Sequence, residues 1–232
     1  MDSILKPGDI VRGRWTGNRF IVKAIIEVNT KWELYKVQAL PTGLFFALKV
    51  SGFIPDLSHE FRIIRDLNKK ENIRQTGLIP QVYILDDFLL AKRHYRFYVM
   101  DVPCGERLCS LLPFLREREM GWLFYQLSSF LHKLQSAGWE FTNLQPASIF
   151  VDSGQAKLVV VDFTELQPCK NLSQNLARLE NEQTRWLLNS DSGKDGLKQD
   201  TSLETAKTQI VVNAVGIFSF LLFLGSIIYT YF

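Results

Sequence analysis

The order of strand-like and helix-like segments is the feature that most constrains the fold of this chain. Three β-rich runs separated by turn residues come first, at residues 19–28, 31–40 and 44–51. Apolar residues at helical spacing follow at 55–70, and two further β-rich runs occupy 81–91 and 95–102. Beyond Gly105 the spacing is helical. This order predicts an α+β fold, in which a small antiparallel sheet with one helix precedes a helical part.

A long uncharged segment lies at the other end of the sequence. Residues 210–232, IVVNAVGIFSFLLFLGSIIYTYF, contain no charged side chain. As a helix they would extend about 34 Å, enough to cross a hydrocarbon core of about 30 Å. A buried core helix would need a polar face, which this segment lacks. The sequence therefore predicts a transmembrane anchor at 208–232. Lys198 and Lys207 precede it, so the positive-inside rule predicts a single-pass protein of the cell membrane whose domain faces the cytoplasm.

The rest of the chain divides by composition. Residues 1–188 carry the strand and helix patterns and end in a predicted amphipathic helix at 171–188, whereas 189–207 form a polar linker with little to bury. The net charge of +3 is too small to indicate a nucleic-acid partner by itself. The three cysteines show neither paired nor metal-ligand spacing, so we expect free thiols.

Several short segments carry residues of the kind that bind nucleotides. ALKVS places Lys49 on a strand, and Glu60 lies on the helix that follows. DFT places Asp162 after a β-branched run, and FTNLQPAS, residues 141–148, precedes that run. Together with the opening LKPGDIVRGRWTGNRF and with GWEF, these segments resemble the bacterial Hanks-type Ser/Thr protein kinases.

The resemblance extends over roughly residues 5–166 and implies a protein kinase-like fold with an ATP cleft between two lobes. The antiparallel-sheet lobe would cover about residues 1–103, and a truncated helical lobe about 104–188. After Thr164 only about 45 residues remain before the predicted span, and no substrate-binding helices or Ala-Pro-Glu motif are visible there.

The resemblance also implies roles for individual residues. Lys49, paired with Glu60, would hold the phosphates of ATP, and the segment Met100, Asp101 and Val102 would contact its adenine. Asp162 would bind Mg²⁺, with Ser148 at the position of a second metal ligand. The sequence leaves simpler readings open. Lys49 and Glu60 could be surface charges, and Asp162 could cap the turn after its strand.

Other positions depart from the kinase pattern. Asn143 stands where the catalytic aspartate accepts a proton, and an amide has no useful basicity. Gln145 replaces the lysine of the same loop, while the packing and turn residues Leu144 and Pro146 remain. The phosphate-binding loop should precede Leu34, yet IIEVNTKWEL contains no glycine. A tryptophan in that loop could close over the cleft or pack on its own hairpin.

These departures lead to three functional hypotheses. The first is a membrane-anchored pseudokinase that acts as a regulatory or scaffold module for a protein partner. The second is a weakly active or atypical Ser/Thr kinase that uses ATP and Mg²⁺ through Lys49, Glu60 and Asp162. The third is an anchored binding protein for acidic partners, nucleic acid among them, against the simpler reading of a solvated charged face. Its basic residues would be Arg62, Arg65, Lys69, Lys70, Arg74, Lys92, Arg93 and Arg96.

Overall fold

A six-stranded antiparallel sheet forms the first half of the structure. The computed structural model describes residues 3–52 and 57–169. The strands of the sheet are β1 (Ile10–Arg12), β2 (Arg19–Val28), β3 (Glu33–Leu40), β4 (Phe45–Ser51), β5 (Val82–Leu90) and β6 (Arg93–Met100). Their spatial order is β1-β2-β3-β4-β6-β5. The sequence predicted five of them. It missed β1, because three residues are too few to show a period of two.

Alternate residues of these strands form an apolar core on one face of the sheet. The core includes Tyr35, Val37, Leu48, Val50, Phe97 and Val99, all at most 1% exposed. Burying each such side chain contributes about 1.5–3 kcal/mol. The N-terminal segment closes this core with Leu5, whose N–H donates to Tyr35 Oη at 2.9 Å. Residues before β1 are therefore part of the sheet lobe.

The first helix, α1 (Leu57–Asn68), supplies one polar side chain to the interior. Its buried residues are Leu57, Glu60, Phe61, Ile63, Ile64 and Leu67. The apolar members recur at three- and four-residue spacing and hold the helix in place. Glu60 lies on this same buried face, so packing of α1 positions a carboxylate in the interior. A short helix, α2 (Glu71–Arg74), follows.

The second half mixes helices with short strands. Its helices are α3 (Leu108–Leu111) and α4 (Glu117–Ser136), with a 3-10 turn between them at Leu112–Phe114. Its strands are β7 (Glu106–Arg107), β8 (Trp139–Phe141), β9 (Ile149–Asp152), β10 (Lys157–Val160) and β11 (Leu166–Pro168). The sequence predicted α4 and the strand at β10. The other four strands are two to four residues long and carry no usable periodicity.

Two short sheets hold the segments around the site. One has the order β10-β9-β7, and the other pairs β11 with β8. The backbone N–H of Val161, just after β10, donates to Ser148 O at 2.9 Å. This bond fixes the segment before Asp162 against the loop that carries Asn143.

Part of the predicted organisation lies outside the described residues. This applies to the predicted helix at 171–188, the linker at 189–207 and the transmembrane anchor at 208–232, which stay predictions. Within residues 3–52 and 57–169, no helix is both long and apolar enough to cross a membrane. Cys104, Cys109 and Cys169 form no disulfide within this part of the chain.

Candidate functional site

Lys49 lies at the centre of a buried polar cluster between β4 and the segment after β10. Its Nζ donates to Glu60 Oε1 at 2.8 Å, to Asp162 Oδ1 at 3.1 Å and to the carbonyl oxygen of Val161 at 3.2 Å. An ammonium group has three N–H donors, so every donor of Lys49 already has a protein acceptor. The 2.8 Å distance shows the predicted ion pair between Lys49 and Glu60. Because both side chains are buried, the reading of the two residues as surface charges is wrong.

Glu60 ties helix α1 to the segment that contains Asp162. Its Oε1 accepts the Lys49 bond and also the backbone N–H of Phe163 at 2.7 Å. Phe163 is itself 1% exposed and packs near Phe141, with ring centroids 5.6 Å apart. The carboxylate therefore joins α1, β4 and the end of β10 in one buried network.

Trp32 covers this network from the β2–β3 hairpin. Its indole Nε1 donates to Asp162 Oδ2 at 3.0 Å, and Lys49 Nζ lies 4.2 Å from the centroid of its ring. The side chain is 2% exposed, so the contact is a desolvated cation–π interaction. Of the two readings left open by the sequence, the tryptophan closes over the cleft.

The hairpin turn that carries Trp32 is held by side chains where the kinase pattern has glycines. Asn29 Oδ1 accepts the backbone N–H groups of Lys31 and Trp32, both at 2.8 Å. Lys31 Nζ reaches across to Glu165 Oε1 at 2.8 Å, and Thr142 Oγ1 donates to the other oxygen of Glu165. The turn therefore binds Asp162 through Trp32 and the segment after Asp162 through the neighbouring Lys31.

Asp162 has hydrogen-bond donors on both carboxylate oxygens. Besides Lys49, Oδ1 accepts the backbone N–H of Thr164 at 3.1 Å and its hydroxyl at 2.8 Å, while Oδ2 accepts the indole N–H of Trp32. The simpler reading of a turn-capping residue is thus confirmed. A Mg²⁺ ion needs carboxylate oxygens that are free to coordinate it. Both oxygens of Asp162 accept hydrogen bonds from protein donors, so a metal ion would have to displace or compete with them, and this closed arrangement does not favour metal binding.

The two acids that share the Lys49 ammonium have pKa values shifted in opposite directions. Burial raises the pKa of Glu60 above its ordinary value of 4.5, and the neighbouring charge of Asp162 adds to this against the pull of Lys49. Burial also acts to raise the pKa of Asp162, but Lys49 and the Thr164 hydrogen bonds outweigh it and lower the pKa below 3.8. One cation cannot fully compensate two buried carboxylates, and the more deeply buried one has the raised value.

Glu27 is a second buried carboxylate near the cluster, and the sequence analysis missed it. It lies at the end of β2 and is 7% exposed, and Arg107 Nη1 is 3.9 Å from its Oε1. Burial raises its pKa, while Arg107 lowers it. A strand-terminal glutamate gives no sequence signal of its own. Only the position of the hairpin brings it near Lys49 and Asp162.

Unpartnered polar atoms concentrate at this site. In the part of the chain that the structure describes, the buried side-chain atoms without a hydrogen-bond partner are Glu27 Oε2, Glu60 Oε2 and Tyr98 Oη. Tyr98 Oη lies near the Glu60 carboxylate, and Glu27 lies near the Asn29 side chain, although neither contact has hydrogen-bond geometry. The desolvation cost, about 1–3 kcal/mol for a wholly unpaired group, is therefore only partly offset. The ring of Tyr98 lies 6.0 Å from Lys49 Nζ. The hydrogen bond and the cation–π contact of Trp32 stabilise the closed arrangement, whereas the buried polar atoms without a partner destabilise it.

The segment predicted to contact adenine offers few free donors. Met100 is fully buried at the end of β6, and the backbone N–H of Asp101 donates to Gln81 O at 3.1 Å. The Asp101 carboxylate accepts the Tyr83 hydroxyl, a bond that raises the pKa of Tyr83 to about 12. Pro103 has no N–H, which leaves Val102 as the residue whose amide could serve a ligand.

The loop that aligns with the catalytic loop keeps its shape without its acid. Leu144 is 2% exposed, whereas Asn143 and Gln145 are exposed. Ser148 is 7% exposed and its backbone N–H donates to Gln145 O in a 3-10 turn, Pro146–Ser148. Among the described residues no group of three or more His, Cys, Asp or Glu could hold a metal ion. The implied metal roles of Ser148 and Asp162 stay predictions that this geometry does not favour.

The basic residues of the third hypothesis are largely engaged within the fold. Lys69 pairs with Asp66, Arg74 with Glu71, and Arg96 with Asp87. Lys70 Nζ donates to the carbonyl oxygen of Ala137 at 3.1 Å. These partners favour the simpler reading of a solvated charged face for most of this stretch.

The arrangement of these elements is similar to that of a protein kinase domain. The chain shares its fold with the crystal structure of the PF14_0431 kinase domain, with a TM-score of 0.56 at 14% identity, covering 73% of this chain and 56% of that one. The fold is therefore protein kinase-like, with an antiparallel sheet lobe followed by a part with few helices. The predicted fold class is confirmed in this respect.

A sequence relationship leads to the same class. The chain is 25% identical over 163 residues to the serine/threonine-protein kinase YabT of Bacillus subtilis. The aligned region covers 68% of this chain and 46% of YabT. No protein-family model matches the chain. It is thus a kinase-like chain, as its motifs predicted, and it spans about half the length of these two proteins.

Proposed function

We propose that this chain is a membrane-anchored pseudokinase, a regulatory or scaffold module that presents a kinase-like surface to a protein partner and does not transfer phosphoryl groups. The observation that carries this proposal is the position of Trp32. It covers Lys49 and binds Asp162, the two residues that would have to face the phosphates and Mg²⁺. A phosphate could reach Lys49 only if the hairpin moved away and existing hydrogen bonds broke.

The loop chemistry supports the same proposal. A kinase needs a carboxylate to accept the proton of the substrate hydroxyl, and Asn143 supplies only an amide. The exposed Gln145 cannot provide the positive charge that a lysine would place near the transferred phosphoryl group. With these side chains, an opened cleft would still lack two electrostatic contributions to the reaction.

Membrane attachment is part of the proposal and comes from the sequence. The uncharged segment 210–232 would anchor the chain in the cell membrane, and the kinase-like domain would face the cytoplasm. Anchoring restricts the domain to the membrane surface, which raises its effective concentration toward other membrane proteins. A regulatory role through a protein partner is consistent with this placement.

A thermal-shift titration of the full chain in detergent tests the nucleotide part of the proposal. Any ligand that binds only the folded state raises the melting temperature with concentration, by an amount that corresponds to about 2.7 kcal/mol at 100 times its Kd. We expect no shift for the unmodified chain at millimolar ATP, with or without Mg²⁺. A Mg²⁺-dependent shift that disappears in Lys49→Ala and Asp162→Ala, but persists in the exposed control Lys157→Ala, would overturn the proposal.

A weakly active or atypical Ser/Thr kinase is the second candidate, and the unpartnered atoms around Lys49 favour it. Glu27 Oε2, Glu60 Oε2 and Tyr98 Oη destabilise the closed state, so an open state with solvated or ligand-bound partners is within reach. This candidate predicts ATP-dependent phosphorylation of the chain or of a generic protein substrate. The activity should rise in Trp32→Ala and be lost in the double variant Trp32→Ala/Lys49→Ala.

A further inference from the structure

The outer part of the large sheet presents an exposed face that the proposed function does not use. In register across β1, β2, β3 and β4 lie Ile10, Ile21, Gln38 and Phe45, and in the next row Arg12 lies opposite Arg19. Directly paired residues of neighbouring strands share a face, so these side chains form one surface. We call it the cationic sheet face. It also includes Lys36, two residues from Gln38 along β3. The exposed Lys23 lies beside the face on β2, next to Ala24, the strand partner of Lys36.

Apolar side chains on and beside this face are unusually accessible. Ile10 is 54% exposed and Phe45 51%, and Trp15, in the turn after β1, is 72% exposed. Positive charges lie directly over two of the rings. Lys36 Nζ is 5.1 Å from the centroid of Phe45, and Arg14 Cζ is 5.0 Å from that of Trp15. The surface therefore alternates apolar and cationic groups within a few ångströms.

The charge along this part of the chain is predominantly positive. Between residues 10 and 54 the only acids are Glu27 and Glu33, and both are buried. The nearest acids of another element, Asp86 and Asp87 of β5, bond to Thr16 and Trp15 in the turn after β1, and Asp87 also pairs with Arg96. The exposed cations of the same stretch that make no ion pair within the described residues are Arg12, Arg14, Arg19, Lys23 and Lys36. This differs from the basic stretch around α1, where neighbouring acids neutralise several charges.

We propose that the cationic sheet face docks onto the anionic headgroups of the membrane. Lys and Arg next to an anionic lipid surface are attracted within a Debye length of about 8 Å, and exposed Ile, Phe and Trp insert at the boundary between headgroups and acyl chains. The rings of Phe45 and Trp15 could stack on bases as well as insert into lipid, but the exposed Ile10 has no ring and offers apolar surface alone, so the face as a whole favours lipid over nucleic acid.

Proximity to the membrane adds to this argument, and that part alone rests on the proposed function. A linker over residues 189–207 can span at most about 65 Å when fully extended. A domain tethered in this way meets the bilayer surface at a high effective concentration, so a weak docking face is sufficient to orient it.

Lysine footprinting of the full chain in lipid nanodiscs tests the proposal. Lys23 and Lys36 report on the face, and the exposed Lys69 and Lys157 are internal controls. Acylation of Lys23 and Lys36 should fall by about threefold or more when neutral phosphatidylcholine discs are replaced by discs with anionic phosphatidylglycerol, and high salt should restore it. Equal labelling in both kinds of disc would overturn the proposal.

A matched pair of charge-reversal variants makes the test specific. Arg12→Glu/Arg19→Glu removes two cations of the face and should abolish the protection of Lys36. Arg62→Glu/Arg118→Glu makes the same change of net charge at exposed positions elsewhere and should preserve it. Loss of Lys36 protection in both variants would show that the protection depends on net charge alone, and would overturn docking through this face.

Two other outcomes separate this proposal from related ones. Protection of Lys23 and Lys36 that appears when single-stranded DNA is added to neutral discs, and is absent with anionic lipid, would assign the face to nucleic acid and overturn the membrane proposal. A chain that does not insert into neutral discs would contradict the proposed anchor instead. Docking is then tested by flotation with anionic vesicles against neutral ones, where equal binding would overturn it.

Discussion

Trp32 Nε1 donates a hydrogen bond of 3.0 Å to Oδ2 of Asp162, a residue 130 positions further along the chain. This bond joins the β2–β3 hairpin to the segment after β10, and Lys49 is buried between the two. In a kinase-like fold those two segments border the space for ATP phosphates. The cleft is therefore closed by a hydrogen bond between two side chains of this chain.

Replacing Trp32 tests how strongly the hairpin is held. Trp32→Phe keeps most of the ring but removes the donor to a charged acceptor, so we expect a loss of about 1.5–3 kcal/mol in the free energy of unfolding. Trp32→Ala also leaves a cavity and should cost about 3–5 kcal/mol. Chemical denaturation measures both, and the exposed Trp15→Ala is the control. A Trp32→Ala variant no less stable than that control would contradict the closed cleft.

Removing the Lys49 cation alone should destabilise the fold more, relative to the number of groups removed, than removing Lys49 and Glu60 together. Lys49→Met leaves the carboxylates of Glu60 and Asp162 buried without their ammonium group, and we expect it to cost about 3–5 kcal/mol. Lys49→Met/Glu60→Gln should be less destabilised than the sum of the single variants, because the two residues share one interaction. Urea titrations of the four proteins give the coupling. Additive effects would show that Lys49 and Glu60 act independently.

Asp86 gives a prediction about pH. Burial acts to raise its pKa, but bonds from the Thr16 hydroxyl and from the backbone N–H groups of Thr16, Trp15 and Asp87 outweigh it and lower the pKa below 3.8. The unfolded state therefore binds more protons just below pH 3.8. The stabilisation is present above that pH and is lost as pH falls through the folded-state pKa.

Asp86→Asn should remove this dependence. We expect the variant to be less stable by about 1–3 kcal/mol at pH 7 and to approach the unmodified protein at acidic pH. Thermal unfolding between pH 3 and pH 7 measures the difference. The exposed Asp66→Asn serves as a charge-matched control with little expected effect. A difference between Asp86→Asn and the unmodified protein that stays constant with pH would contradict the assigned pKa direction.

Alanine substitutions at Gly105 and Gly138 distinguish the effect of a steric clash from that of backbone strain. Both have positive φ, +84° and +86°, so alanine at either position costs about 1–2 kcal/mol in the left-handed region. A Cβ at Gly105 would lie 2.0 Å from the carbonyl oxygen of Val151, while one at Gly138 would meet no atom within 4 Å. We expect Gly105→Ala to lower the melting temperature well beyond Gly138→Ala. Equal effects would contradict the close approach of this connector to β9.

Local patterns predicted much of the sheet lobe. The run RFIVKAIIEV coincides with β2, and the helix predicted at 55–70 corresponds to α1. The predicted pairing of Glu60 on that helix with Lys49 is present in the structure. These predictions hold because strand and helix periodicity acts over a few residues and is dictated by which side chains avoid water. Strands of two to four residues, such as β7 and β9, were missed for the same reason.

The sequence by itself determined that the loop at 143–148 has no carboxylate that could accept a proton, since the chemistry of Asn143 does not depend on the fold. It also determined the kinase-like order of elements. Only the tertiary structure decided that Trp32 meets Asp162, that Glu27 is buried near Lys49, and that Ile10 and Phe45 share one face. These relationships depend on how distant segments pack, and burial strengthens the interactions of Trp32 and Glu27 by excluding competing water.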